Sequence, residues 1–447
     1  MAVHGRFRNK ERRGANMVAN KRLRLRATGL ALAGGLVAAL APAGTTGALA
    51  ESLSAAARRA VQTHPDVKAL RANRRAIGEE LNAARGLALP GVRVEGGYGL
   101  YHDRDDTHGR GDISIKLRQP LYDGGKYYNE RRRQEERVGS ADGRVADTVE
   151  TIALQAVQAY LEVVRARRVV SRSRKNLRDV KRIVSRVRAR VRGGAGTQAD
   201  LAQARSRLLA ARTSLTSSQI QRDDAMALYL TVVGRKPGKL QQADLPTKRL
   251  PRSVDALVRQ ARNASPKLLA IRHDAAAAAY AVGTARAVLR PKLDLELSAN
   301  HGDRLGRLSD RRQDARAMVR MSLNVYNGGI DRARIREAIE REAEATHLVG
   351  SAVLSVEREL RLAWNTYRGS RRKVAQLLDQ SRTNERLTRL RLQQYDGGQA
   401  TLISILDAQN EAFVAGVQAT NEFNAGRFAF YKMLAASGRL ASTLGLN

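Results

Sequence analysis

The reactive inventory of this chain is narrow. It has no cysteine, which excludes disulfides, thiol catalysis, thiolate-bound metal and an acylated N-terminal cysteine. Two acids stand just inside predicted helix starts. Asp200 follows Gly193-Gly194-Ala195-Gly196-Thr197, and Asp407 follows Gly397-Gly398-Gln399-Ala400-Thr401. Read plainly, each complements the positive end of a new helix, worth under ~1 kcal/mol. Glu344-Ala345-Thr346-His347 has the E-x-x-H spacing of carboxylate-bridged metal bundles, but such sites need a second copy. None of the other six histidines has a glutamate three residues earlier, so this is a surface coincidence and no metal or cofactor site is read. No nucleophile–base pair, phosphate loop or pair of catalytic acids stands out, and no enzyme is expected.

Basic residues dominate the rest, with a net charge of +37. Arg165–Arg192 alone holds thirteen Arg/Lys against the single acid Asp179. That balance raises nucleic acid or an anionic surface as partner. No aromatics interleave with the run, as single-strand binding would require, and a solvated helix face is the plainer reading.

The two glycine turns define the elements that carry these residues. Gly193, Gly194, Thr197, Leu201 and Ala204 recur as Gly397, Gly398, Thr401, Ile405 and Ala408, always 204 positions later. A glycine pair that stops one helix and a threonine that caps the next, built twice, predict a duplicated chain. Aromatics are only 4%, in keeping with long helices.

The N-terminus reads as an address. Lys21, Arg22, Arg24 and Arg26 precede an apolar run from Ala27 to Ala41, and small residues lead to Ala48-Leu49-Ala50 before Glu51. This is a secretory signal over residues 1–50, cut after Ala50, with Met17 as an alternative start. No other apolar run approaches the ~20 residues of a membrane helix. Export also weighs against nucleic acid.

Residues 51–234 form the first repeat, 235–252 a proline-bearing linker, 253–438 the second repeat and 439–447 a tail. Each repeat opens with an amphipathic segment that ends at a proline, Pro90 or Pro291, because proline lacks the N–H a helix needs. The period then changes from 3.6 to 2. Alternation predicts strands at about 92–101 and 112–119 in the first copy, and 292–300 and 315–325 in the second. Polar loops, His102–Gly111 and His301–Asp314, are expected to join each pair. The strands have the length of a tilted membrane strand, with one apolar and one charged face. They fit equally a sheet lying on a soluble core. Should they enter lipid, four cannot close a barrel, and several chains must contribute.

After the glycine turns Gly124-Gly125 and Gly328-Gly329 come two very long helical stretches, roughly 129–192 and 331–395. At 1.5 Å per residue, ~60 residues extend ~90 Å. Val163, Val170, Leu177, Val184 and Val191 repeat at heptad spacing. Return helices pass through Leu201, Ala204, Leu208, Ala211 and Leu215, and through Ile405, Ala408, Ala412, Ala415 and Ala419. The arms are long antiparallel hairpins with tips near 193–197 and 397–401. The expected fold is mainly α with a small β part, made of duplicated units of helix, strand pair and long helical hairpin.

In this order and duplication, with Leu89-Pro90, Gln119-Pro120-Leu121-Tyr122-Asp123-Gly124-Gly125 and the turn-plus-helix at Tyr395–Gln409, the chain resembles the TolC family of outer-membrane channel proteins. The resemblance spans essentially the whole mature chain. It implies a homotrimer in which each chain gives four strands to a twelve-stranded barrel in outer-membrane lipid, continued by an α-helical tunnel across the periplasm of a Gram-negative bacterium. It also implies an adaptor and an inner-membrane pump, ABC-type or proton-driven, serving type I protein secretion or small-molecule efflux. The hairpin tips would form the periplasmic entrance. Asp407 matches one of two entrance carboxylates, Ser404 stands where the other would be, and Asp200 and Tyr395 match a polar contact between neighbouring hairpins. A ring of like charges in a constriction attracts cations. The arginine often found beside the turn is replaced by Ala400. The basic stretch could then give the tunnel an anion-attracting wall. The competing function is a periplasmic coiled-coil adaptor or scaffold without a barrel.

Overall fold

A computed structural model describes residues 51–103, 106–241, 245–247, 251–304 and 312–446. The predicted signal and its cleavage residues Ala48 and Ala50 lie outside them. Each half begins with two short helices, α1 (Leu53–Thr63) and α2 (Pro65–Gly86), and, after the linker, α5 (Val254–Ala264) and α6 (Pro266–Arg286). The expected single segments are each broken at the residue before proline. His64 and Ser265 take extended backbone, since the proline ring disfavours helical geometry there.

Strands β1 (Gly91–Asp103), β2 (Asp106–Tyr122), β3 (Lys292–Arg304) and β4 (Arg312–Ser322) form one antiparallel sheet in chain order. Three predicted boundaries are corrected. The expected loop His102–Gly111 is mostly ladder, because Asp103 pairs with Asp106 and polar side chains do not interrupt backbone pairing. β4 stops at Ser322, short of Val325, where Asn324 leaves the ladder and donates to the Asp331 carboxylate at 2.8 Å. β2 also runs on to Tyr122, with an irregularity at Pro120, which has no N–H to give.

The register puts most of the apolar positions on one face, Met318 opposite Glu296 being an exception. Val94 lies opposite Ile115, Leu117 opposite Leu297, and Leu295 opposite Val319. Val92, Leu100, Ile115, Val319 and Met321 on that face are exposed. The other face is laced by ion pairs, Lys116 to Glu95 at 2.6 Å, Arg118 to Asp294 at 2.7 Å and Arg320 to Glu296 at 2.9 Å. Among the described residues β1 and β4 each pair on one side only.

The hairpins are α3 (Lys126–Arg192) with α4 (Gln198–Val233), and α7 (Ile330–Asp396) with α8 (Leu402–Ala436). α3 and α7 each have 67 residues, about 100 Å of helix. A short helix, α9 (Leu440–Leu444), follows α8. One large core joins both halves near the linker, built on Tyr160, Tyr229, Leu257, Leu360, Phe430 and Leu440. A second, separate core lies at the tips. Between them α3 meets α8 through polar contacts. The Asn176 side-chain carbonyl accepts from Gln409 at 3.1 Å, and Arg172 Nε donates to Thr420 at 3.0 Å. Gly416 leaves room for the Arg172 side chain, since a Cβ there would stand 2.6 Å from the guanidinium and displace it.

Candidate entrance at the hairpin tips

Both tips are turned by glycine. As C-caps, Gly193 and Gly397 donate their N–H groups to the Ala189 and Gln393 carbonyls of α3 and α7, and Gly194 (φ +74) and Gly398 (φ +76) take the left-handed geometry that reverses the chain. Thr197 and Thr401 then start α4 and α8 in extended backbone. Here the two copies diverge. Thr197 and Asp200 form a capping box, with Asp200 N–H donating to Thr197 Oγ1 at 3.1 Å and Thr197 Oγ1 donating back to the carboxylate at 2.8 Å. At the second tip the third helical residue is Ser404, which donates instead to the Thr401 carbonyl at 2.8 Å, and the Thr401 side chain makes no cap bond. The expected threonine cap therefore exists at only one tip, because serine there offers no carboxylate to close the box.

The tip core holds the two hairpins together. Val180, Ile183, Val184 and Val187 of α3 pack with Leu201 of α4, Tyr395 of α7, and Leu402, Ile405 and Leu406 of α8. Tyr395 is buried in this cluster, with its ring 4.7 Å from the Arg190 guanidinium. Arg190 also donates to the carbonyls of Tyr395 and, at 3.2 Å, of Asp396 and Ala195. It thus closes the C-terminal end of α7, where unsatisfied carbonyls and the helix dipole favour a cation. One turn earlier Arg186 pairs with Asp396 at 2.6 Å. Burial first, and then the charge on Asp200, push the Tyr395 hydroxyl above its ordinary pKa. Asp200 and Tyr395 thus share one electrostatic neighbourhood, while the Asp200 carboxylate makes its hydrogen bonds within its own cap.

Asp407 lies half-exposed on α8, and Arg207 of α4 donates to it at 3.0 Å. The structure brings Asp200, Tyr395, Ser404 and Asp407 to one end of the bundle, and adds Arg186, Arg190 and Arg207, which sequence reasoning missed. The signal available for the first two was the basic stretch of α3. That stretch is not a uniform solvated face. Arg172, Lys175, Arg186 and Arg190 reach Thr420, Glu385, Asp396 and the α7 terminus, whereas Arg174, Arg178, Lys181 and Arg188 face solvent. Away from the tips, Glu344 of the E-x-x-H pair is bonded to Arg341 at 3.1 Å.

An exposed apolar sheet at one end of long paired hairpins, and a polar, glycine-turned tip at the other, define a membrane-spanning duct subunit. The sequence model for "Outer membrane efflux protein" matches residues 56–232 and 257–427, and the chain belongs to that family. It is an outer-membrane efflux channel protein that extends into the periplasm. It is 28% identical over 405 residues to the outer membrane efflux protein BepC of Brucella suis, covering 89% of this chain and 88% of BepC. It is 25% identical to the pyoverdine export outer membrane protein OpmQ of Pseudomonas aeruginosa, over 60% of this chain and 57% of OpmQ. Escherichia coli TolC is 22% identical over 83% of this chain and 79% of TolC. Among solved structures, CusC superposes with a TM-score of 0.79 at 15% identity, covering 87% of this chain and 92% of CusC. The outer-membrane channel OprN gives 0.78 at 19%, over 87% and 90%.

Proposed function

We propose that three copies of this chain form one exit duct of a tripartite export system, working with a periplasmic adaptor and an inner-membrane pump. The observation that carries this is the sheet. Its apolar face is exposed along its length, and its outer strands each lack a partner on one side. An open edge in hydrocarbon leaves backbone N–H and C=O groups unsatisfied at several kcal/mol each, so β4 of one copy must meet β1 of the next. Three such sheets make a twelve-stranded barrel. Its ion-paired face then lines water and its apolar face meets lipid. Small-molecule efflux is the favoured service, supported by the efflux and pyoverdine-export relatives.

At the other end, the tips form the resting constriction. Asp407 places one carboxylate per chain at the mouth, with Ser404 in the neighbouring position. Three such charges around one axis attract divalent cations and narrow the entry for anions. The Arg190 and Arg186 contacts hold the second hairpin tip against the first, so opening the mouth means parting them. Reconstitution tests the reading. The exported protein is expected in the outer membrane as a heat-resistant detergent trimer that conducts in planar bilayers. A monomer confined to the soluble periplasmic fraction would refute it and favour the scaffold alternative.

A further inference from the structure

The charged face of the sheet breaks a pairing rule at one level. Across the four strands, Arg93 of β1 lies opposite Lys116 of β2, Lys116 opposite Ser298 of β3, and Ser298 opposite Arg316 of β4. Residues directly opposite share a face, and like charges placed so repel. The rows on either side do not repeat the pattern. One sets Arg118 opposite Glu296, and the other runs Glu95, Ser114, Asn300, Asp314. The cationic row crosses a concavity of about 830 Å³ where the sheet joins the helices, and seven Lys/Arg line it against three acids. All three acids are already engaged. Asp294 pairs with Arg118, Glu296 with Arg320, and Asp123 accepts from Gly125 N–H at 3.0 Å at the start of α3. Arg93 and Lys116 share one acid, Glu95, at 3.6 and 2.6 Å. Arg316 is exposed and has no ion pair among the described residues.

We propose that the row Arg93, Lys116, Ser298 and Arg316 is an anion-binding belt inside the duct, which selects cargo carrying carboxylate or phosphate groups. The proposal rests on the duct reading, in which this face lines water. Each chain brings three cations to one level, hence nine around a barrel of three chains. A cleft lined by one sign, with low-dielectric walls, focuses its field and concentrates ions of the opposite sign. The guanidinium fork matches a carboxylate or phosphate with two parallel hydrogen bonds, and the Ser298 hydroxyl offers a further donor in the same row. Repulsion within the row is relieved when such a group sits across it, which is the reason to place like charges opposite one another there. The belt lies just inside the sheet from Pro90, at the opposite end of the hairpins from the acidic mouth at Asp407. Cargo that has passed the parted tips meets the belt last, on its way into the barrel.

Planar-bilayer recording tests this on an Asp407→Ala background, which takes the carboxylates at the mouth out of series. A KCl gradient near 0.1 M, where the Debye length is about 10 Å, reads selectivity as a reversal potential. Citrate added on the barrel side reads binding as block. Channels with the belt intact are expected to prefer chloride and to be blocked by citrate. Arg93→Gln combined with Arg316→Gln should weaken that block on the order of ten-fold, the low end of what a one-signed cleft supplies, and move the reversal potential toward potassium. Arg93→Lys combined with Arg316→Lys keeps the charge and should keep the chloride preference. Removing opposed like charges should also leave the heat-resistant oligomer intact, whereas a row that only braced the sheet would lose it. Unchanged reversal potential and unchanged block in the glutamine pair would overturn the proposal, and so would loss of oligomer without a change in selectivity. Any channel that conducts already satisfies the duct reading, so this failure stays separate from a failure of that reading.

Discussion

Replacing Arg190 with methionine removes the guanidinium while keeping an apolar stem of similar length in the tip core. Three interactions go with it: the hydrogen bonds to the last carbonyls of α7, the bond to Ala195 in the first turn, and the stacking on Tyr395 at 4.7 Å. Charged hydrogen bonds contribute about 1.5–3 kcal/mol where they are shielded. A cation over an aromatic ring adds about 0.5–2 kcal/mol. Arg190 is half-buried, so the low end of each range applies and the loss is about 2 kcal/mol per chain. At 1.4 kcal/mol per decade, that shifts the balance between a joined and a parted tip by roughly 30-fold.

Single-channel recording in planar bilayers reads this directly as a rise in the fraction of time spent open. Thermal unfolding serves as the control, because the large core around Tyr160 and Phe430 is separate from the tip cluster. Arg190→Lys should fall between the two, keeping the charge but losing the planar fork. An Arg190→Met channel with the wild-type open fraction would refute the latch, and so would one whose increase is matched by Arg188→Met on the solvent-facing side of the same helix.

Asp407→Ala should weaken block by divalent cations, while Arg207→Ala, which frees the carboxylate from its 3.0 Å partner, should strengthen it; neither should move the unfolding temperature much, since an exposed pair contributes about 0–1 kcal/mol. Unchanged block in both variants would remove Asp407 from the mouth. Glu150 accepts from the N–H groups of Leu440 and Ala441, and burial raises its pKa to about 7. The folded form therefore holds a proton that the unfolded form has lost, so stability should fall as pH rises from about 4.5 to 7, and Glu150→Gln should flatten that slope in pH-dependent melting curves. Ile115→Arg, in the middle of the exposed apolar face, should cost about 2–4 kcal/mol of insertion and reduce heat-resistant oligomer in membrane fractions; Ser114→Arg, one residue along and on the opposite face, should cost less there.

The parts that could be read from sequence are those in which a local rule and the global fold agree. Gly194 and Gly398 need left-handed backbone, the 204-residue offset repeats it, and the change of period after Pro90 and Pro291 separates strand from helix. Apart from the offset itself, each signal is carried by residues close together in the chain. The entrance is different, because its contacts join residues about 200 positions apart: Arg190 to Tyr395, Arg186 to Asp396, Arg207 to Asp407. In a segment with thirteen cations, nothing local distinguishes Arg186 and Arg190 from Arg178 and Arg188. What distinguishes them is which side of α3 the second hairpin occupies, and that follows from packing at Val180, Ile183 and Val187. The same logic explains why the two tips differ in spite of their matching turn residues. Asp200 in the first copy is drawn into its own cap, whereas Ser404 in the second turns back to the Thr401 carbonyl, and the next acid, Asp407, lies one turn on. The two turns share their glycines and threonine; the difference between aspartate and serine at one helical position closes a cap at the first and leaves the second without one, which is what the proposed gating role of Asp407 draws on.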